Sequence, residues 1–259
     1  MFDLTVFDAF LKTEKLGRTP VILDEVDSTN DWLGKRLCDP RLAETIVIAH
    51  VQTNGRGRHG RVWSHLPGVG LAFSLAWGVL GQPRPMVTLA TGIALAETVM
   101  ELAPVDVQLK YPNDLLIAGK KVAGILTEVK GLNGRRAAII GVGINVNVPL
   151  DNFPDNVREI ATSILIEGGV KISREAILAI FLNRLEPMLV LLGDGCSGEE
   201  IVSLYKKLSG IIGRKIAVTA SSGEIMGEVI DMDEDGGLII DSGGGELKKI
   251  VAGETRFLD

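Results

Sequence analysis

Apolar positions recur along this chain with two different periods, and the changes of period mark its elements. Val6 to Leu16 has a helical spacing that stops at Gly17. Val21-Ile22-Leu23 is a short apolar run that predicts a strand, and Ser28-Thr29-Asn30 offers N-cap side chains for a helix through Leu37. Thr45 to Val51 is rich in β-formers, and Gly70 to Trp77 is a second apolar strand. Pro83 and Pro85 open a long amphipathic helix that runs to Leu102 and stops before Pro104.

Beyond Pro104 the pattern becomes a β-meander. Val105 to Lys110 leads into the turn Tyr111-Pro112-Asn113-Asp114, and Leu115–Ile117 meets Val122–Val129 across the hairpin signal Ala118-Gly119-Lys120. Ala137 to Val148 is a further strand, followed by helical patterns over Val157–Ile166, Ser173–Leu192 and Ser197–Leu208. After Gly210 the texture changes to short β-runs (Lys215–Thr219, Glu224–Met232, Leu238–Asp241, Glu246–Val251) separated by turns such as Asp235-Gly236-Gly237. That pattern predicts a small β-barrel of about 50 residues. The expected organisation is one unit over 1–209 and a second over 210–259, with no internal repeat.

Composition narrows the class. A chain of 259 residues suits one main domain with a small accessory, and 46% hydrophobic residues suffice for a sizeable core. The formal charge of −6 argues against a general nucleic-acid binder. Cys38 and Cys196 are too few and too far apart for a disulfide framework. Met1-Phe2-Asp3-Leu4 lacks the regions of a signal peptide, and no apolar run reaches the roughly 20 residues of a membrane span. The expectation is a soluble, cytoplasmic protein without membrane contact.

The chemistry concentrates in Gln52-Thr53-Asn54-Gly55-Arg56-Gly57-Arg58-His59-Gly60-Arg61-Val62-Trp63. Glycines permit φ > 0 and close approach to a ligand, while arginine forks match phosphate or carboxylate oxygens. From Thr45 to Ala96 there is no Asp or Glu, which leaves a local positive field inside an acidic protein. This predicts a loop that closes over an anion. The loop lacks the Gly-Lys-Ser/Thr of a Walker A sequence and the repeats of an RGG segment.

Other motifs are open to two readings. Lys110-Tyr111-Pro112-Asn113-Asp114 is explained by turn chemistry alone, or else Lys110 meets phosphate, Asn113 offers an amide and Asp114 a hard oxygen for Mg²⁺. Lys120 is expected to be solvated at its hairpin tip, whereas alternation turns Lys121 to one face with Ala123 and Ile125, beside small Gly124. Gly143, Asn145 and Asn147 share one strand face, and Asn is depleted in strands. The two asparagines line a polar cleft or approach the strand end; the reading favours the cleft. His50, His59 and His65 fit no zinc spacing, and no Ser/His/Asp triad is evident. Trp32 and Trp77 read as core, and Trp63 as an anchor for the loop or a stacking wall.

Taken in order, these pieces resemble the biotin protein ligase (biotin–[acetyl-CoA-carboxylase] ligase) family, from about Ile22 to Phe257. The resemblance rests on Asp27-Ser28-Thr29-Asn30, Gln52 through Trp63, Lys110 to Asp114, Lys121-Val122-Ala123-Gly124-Ile125-Leu126 and Gly143-Ile144-Asn145. Tyr111 stands where many members carry Trp. The stretch before Val21 is short for the winged-helix DNA-binding domain of some relatives, so the resemblance is to the short class without repressor function, with no DNA partner expected. It implies a mixed-sheet α/β catalytic domain with a small SH3-like β-barrel C-terminal domain. It further implies ATP-dependent formation of biotinyl-5′-AMP, then transfer of biotin to a lysine of biotin carboxyl carrier protein. Lys121 and Arg58 would be catalytic. Ser28, Thr29, Asn30, Gln52, Gly55, Arg56, Gly57, Arg58, Lys121 and Gly124 would bind biotin. Arg56, Arg58, Arg61, Trp63, Lys110, Asn113 and Asn145 would serve ATP, with Asp114 on Mg²⁺. A homodimer is expected by analogy. The alternatives are a lipoate or octanoate ligase or transferase, whose families would lack the Gly-Arg-Gly-Arg loop paired with a β-rich tail, and a non-catalytic nucleic-acid-binding regulator.

Overall fold

The apolar runs pair into a seven-stranded sheet whose order explains why distant motifs meet. The computed structural model describes residues 2–36, 39, 44–78, 84–132, 135–193, 198–220 and 223–258. Leu37, Pro83 and both cysteines lie outside these residues, so the predicted end of one helix, the start of another and the cysteine reading have no structural counterpart.

The strands are β1 (Val21–Val26), β2 (Ile46–Gln52), β3 (Leu71–Trp77), β4 (Val107–Lys110), β5 (Asp114–Ile117), β6 (Lys120–Leu132) and β7 (Arg135–Ile144), in the order β1-β2-β3-β7-β6-β5-β4. β1 and β2 run parallel and every other neighbouring pair is antiparallel, which makes the sheet mixed. The β5–β6 hairpin closes through two residues, Ala118 (φ 50°) and Gly119 (φ 75°), the left-handed pair a tight turn demands. β3 is buried along its whole length, with Phe73 edge-on to Phe181 at 5.5 Å.

Six helices accompany the sheet: α1 (Leu4–Phe10), α2 (Thr29–Gly34), α3 (Arg84–Leu102), α4 (Ile164–Gly168), α5 (Arg174–Gly193) and α6 (Glu199–Ser209), among the described residues. α3 and α5 pack on one another and build the main core with the sheet. Both are long and apolar enough, by length and composition, to cross a bilayer, contrary to the expectation that no run is. Burial of 72% of the α3 window and 50% of the α5 window inside the protein accounts for that character. A smaller cluster of Leu33, Val47, Ala76 and Ile139 holds α2 to the sheet.

The N-terminal helix departs from its predicted span for an identifiable reason. Asp3 caps α1 by accepting from Thr5 N and Val6 N, so the helix begins early. It ends at Leu11 because the next backbone donors are taken elsewhere. Asn183 accepts from Lys12 N, and the buried Glu186 carboxylate accepts from Glu14, Lys15 and Leu16 N at 2.6–2.8 Å. Burial alone would raise the Glu186 pKa, but those three donors outweigh it and hold the carboxyl below its ordinary range.

Three further expectations need correction. Ser28 occupies the N-cap of α2 without a side-chain capping bond. The helix predicted over Val157–Ile166 is not formed as such: Lys121 N donates to Ile160 O and Thr162 N to Lys121 O, so this stretch is stitched to β6, and only α4 coils. β7 stops at Ile144, one residue before the asparagines, so Asn145 and Asn147 do not line a strand face. Their amides satisfy backbone groups, Asn145 on Thr162 O and Asn147 on both Ile172 O and Ile172 N.

The C-terminal strands β8 (Lys215–Ala220), β9 (Gly223–Met232), β10 (Leu238–Asp241), β11 (Leu247–Ile250) and β12 (Glu254–Phe257) form a second, antiparallel sheet in the order β11-β10-β9-β8-β12. β12 was not apparent in the sequence pattern. It pairs with β8 and brings Glu254 and Thr255 toward the main sheet.

Candidate active site

The Gly/Arg segment is an ordered small hairpin rather than an open loop. Gly57 N donates to Arg61 O and Trp63 N to Gly55 O, each at 2.8 Å, with a 3-10 turn over Arg58–Gly60 at the tip. Positive φ falls at His59 and Gly60, not at Gly55 or Gly57. Gly55 is required for a different reason: a Cβ there would lie 2.3 Å from Trp63 O of the opposing arm.

This hairpin folds over glycines of the sheet. A Cβ on Gly143 would meet the Trp63 indole at 2.3 Å, and one on Gly141 would meet Asn30 Oδ1 at 2.2 Å. The absent side chains make room for the ring and the amide. Beneath Trp63 remains a cavity of about 50 Å³, bordered by Ser28, Thr29, Asn30, Gln52, Lys121 and Gly124. Ser28, Thr29 and Asn30 are buried, and Gln52 Oε1 accepts from Thr29 N (2.9 Å), with Thr29 Oγ1 3.1 Å away.

Lys121 reaches this cleft by a route that alternation misses. The β5–β6 register slips between Leu115↔Ala123 and Leu116↔Lys121, an inserted residue that reverses facing. Ala123 is therefore buried in the core, while Lys121 lies beside Gly124, 5.8 Å from the Trp63 ring centroid. Its Nζ is 2.7 Å from Asp114 Oδ1, a buried oxygen that nevertheless lacks a hydrogen bond of proper geometry.

The arginines divide into different tasks. Arg56 pairs with Asp31 at 2.6 Å and with Glu128, and Lys130 joins Asp31 at 3.1 Å. Burial lowers the Arg56 pKa, but the two carboxylates more than offset it and the net shift is upward. Arg56 thus anchors the base of the hairpin with its charge already matched. Arg61, at the tip, makes a two-pronged pair with Glu254 of β12, at 2.7 and 2.6 Å. The local positive field expected from the carboxylate-free stretch is therefore largely offset by acids from elsewhere in the chain. Arg58 differs: its Nη1 donates to the neutral Asn113 Oδ1 at 2.9 Å, and burial lowers its pKa. Asn113 is fixed in turn, with Nδ2 donating to Ile125 O.

A second cavity of about 460 Å³ adjoins the first, bordered by Lys110, Asp114, Asn145, Phe153, Val157 and Ile160. Arg58, Trp63, Asn113 and Lys121 border both. The structure thus brings the predicted site residues to these two cavities, with Lys110 and Asn145 on the outer wall, except Gly55, which borders neither and packs at the base of the hairpin. Sequence reasoning missed Asp31, Ser74, Glu128, Phe153, Val157, Ile160 and Glu254. Ser74 alone carried a signal, as the single polar residue of β3. Tyr111 faces away from both cavities: its hydroxyl donates to Gly236 O (3.2 Å), its own carbonyl accepts from Thr255 Oγ1 (2.6 Å), and its ring meets Tyr205 edge-on. No cluster of three His, Cys, Asp or Glu suited to a metal occurs among the described residues.

A cleft with a polar floor, a cationic junction and a larger apolar annex suits two ligands that meet at Arg58 and Lys121. Comparison with known proteins agrees. A family model described as the biotin/lipoate A/B protein ligase family matches residues 23–146, and one described as the biotin protein ligase C terminal domain matches residues 211–255. The chain is 34% identical over 254 residues to the bifunctional ligase/repressor BirA of Bacillus subtilis, covering 95% of this chain and 76% of that protein. It is 31% identical over 231 residues to the biotin–[acetyl-CoA-carboxylase] ligase of Mycobacterium tuberculosis, covering 86% and 83% respectively. The biotin protein ligase from Aquifex aeolicus in complex with biotin and ATP superposes with a TM-score of 0.80 at 28% identity, over 93% of this chain and 98% of that one. The chain belongs to the biotin protein ligase family.

Proposed function

We propose that this protein joins biotin to ATP, forming biotinyl-5′-AMP and pyrophosphate, and then transfers biotin to a lysine of biotin carboxyl carrier protein. The observation that carries this reading is the pair of adjoining cavities with Arg58, Trp63, Asn113 and Lys121 on the border of both. A carboxylate attacking a polyphosphate must overcome charge repulsion, so catalysis rests on positioning and electrostatic stabilisation. Biotin takes the smaller cavity, its ureido head on Ser28, Thr29 and Gln52 and its carboxylate toward Lys121. ATP takes the larger one, with its base against Phe153, Val157 and Ile160 and its phosphates toward Lys110, Arg58 and Arg61.

Lys121 holds the carboxylate and the α-phosphate together, exchanging its present partner Asp114 for ligand oxygens. Arg58 gives up only a neutral amide to bind phosphate, which makes it the most available cation of the hairpin. Asp114, with a buried oxygen lacking a proper hydrogen bond, is a suitable single carboxylate for a magnesium ion that arrives with the triphosphate. Such an ion would offset phosphate charge. A cavity of about 50 Å³ has room for a few waters and no more, so Trp63 and the hairpin lift to admit biotin and close again. Closure shields the mixed anhydride from water.

The C-terminal sheet is read as an SH3-like domain that starts at residue 210. Support comes from α6 ending at Ser209, from the left-handed Gly210 (φ 56°) and from the second family match beginning at residue 211. A homodimer is retained by analogy, testable by sedimentation with and without biotin. To test the reaction, the protein is incubated with ATP, Mg²⁺, a carrier domain and either biotin or lipoate, and the carrier is weighed by mass spectrometry. One biotinyl addition that requires ATP is expected. Lipoyl addition in place of biotinyl, or no addition with either acid, would refute the reading.

A further inference from the structure

The floor of the smaller cavity is the end of a hydrogen-bonded chain that begins at a carboxylate outside it. Asn30 Nδ2 donates to Glu128 Oε2 at 2.9 Å and to Leu126 O at 3.2 Å. Both partners can only accept, so the Asn30 amide has one permitted orientation, with Oδ1 toward Ser74. Ser74 Oγ lies 2.6 Å from Asn30 Oδ1 and 2.6 Å from Thr29 Oγ1, fully buried between them. A hydroxyl has one proton, and Asn30 Oδ1 has none to offer, so the Ser74 proton goes to Asn30. Two hydroxyl protons then serve three contacts: the short Ser74–Thr29 contact takes the Thr29 proton, the longer Thr29–Gln52 contact at 3.1 Å goes without one, and the Thr29 oxygen is left an acceptor. Thr29 N donates to Gln52 Oε1, so the Gln52 amide offers its N–H groups elsewhere.

We infer that Glu128, acting with the Leu126 carbonyl through Asn30 and Ser74, is a positioning residue that sets Thr29 as acceptor beside Gln52, whose donor side the Thr29 backbone N–H fixes, and so favours a ligand presenting an N–H beside a C=O. This rests on the biotin reading, since a cyclic urea carries that pair. Glu128 is itself clamped: Arg56 of the hairpin binds Oε1, and Lys130 approaches Oε2 at 4.0 Å. The carboxylate therefore links hairpin closure to the polarity of the floor.

Glu128→Gln tests this, because an amide of the same shape can present N–H to Asn30 and turn it over at the expense of its bond to Leu126 O, reversing the Asn30–Ser74–Thr29 donors while Gln52 stays held by Thr29 N. Ser74→Ala cuts the chain while leaving the Glu128–Arg56 pair in place. Binding of biotin is compared by calorimetry with binding of both carbamate analogues in which one ring N–H is replaced by oxygen. The wild-type protein is expected to prefer biotin over one regioisomer by roughly tenfold or more, the consequence of setting two acceptors face to face. Both substitutions are expected to bring that ratio toward one. If both variants lose affinity for all three ligands equally, Glu128 supports the hairpin alone and the inference is overturned. A wild-type protein that binds none of the three would refute the biotin reading itself, and the inference with it.

Discussion

Gly143→Ala offers a direct test of the lid. Position 143 lies in β7 with an extended backbone, so alanine brings no conformational strain of its own and acts through its methyl group. That methyl would sit 2.3 Å from Trp63 Cε2, 2.4 Å from Nε1 and 2.7 Å from Cζ2, where ordinary contact begins at 3.4 Å. The indole must therefore retreat by about 1 Å, and overpacking of this kind costs about 1–3 kcal/mol. Because the ring belongs to a hairpin and not to the core, the cost falls on the closed state more than on the fold. We expect biotin affinity to weaken by roughly 5- to 150-fold with little change in Tm. Titration calorimetry reads the affinity, and Trp63 emission, isolated by subtraction of a Trp63→Phe variant, reports the exposure of the ring. Unchanged affinity together with unchanged emission would refute the lid. A large fall in Tm with normal affinity would show that β7 moves instead of the hairpin.

Arg58→Ala removes a charged partner of Asn113 and the available phosphate clamp, and should speed leakage of the adenylate by about 10- to 100-fold; a release rate and biotin affinity equal to wild type would exclude that role. Lys121→Ala should abolish pyrophosphate release with the fold retained, although Asp114 then loses its cation; an unchanged rate would remove Lys121 from the mechanism. For Glu186 the folded pKa lies below the unfolded value, so its contribution is complete above about pH 4.3 and is lost as pH falls through the folded value. Glu186→Gln should thus destabilise the protein by about 1–3 kcal/mol at neutral pH and flatten its acid limb. Thermal melts from about pH 7 down to about pH 3 with wild-type acid dependence would contradict this.

How far the sequence could be read depended on whether a feature was local. The β5–β6 hairpin, β3 and the two long core helices were legible because period and turn chemistry are written in neighbouring residues. Lys121 does border the cleft, yet alternation assigned it the wrong companions, since a bulge depends on how two strands pair. Arg56, Arg58 and Arg61 look equivalent in the chain and differ only through partners that lie 25 to 193 positions away. Asn145 and Asn147 looked like residues of one strand face because strand ends are invisible when the next residues are still apolar; Asn145 borders the larger cavity from beyond the strand end. The polarity of the floor could not be read at all, because it depends on which proton serves which oxygen.

The pair formed by Arg61 and Glu254 ties the small C-terminal sheet to the Gly/Arg hairpin. Any phosphate that claims Arg61 must first evict a side chain of β12, whose neighbour Thr255 is moored to Tyr111 at the head of the turn carrying Asn113 and Asp114. Cutting that mooring would slacken the flap and the turn at once. An appendage that looks dispensable from its size is in this way a load-sharing strut of the reaction chamber.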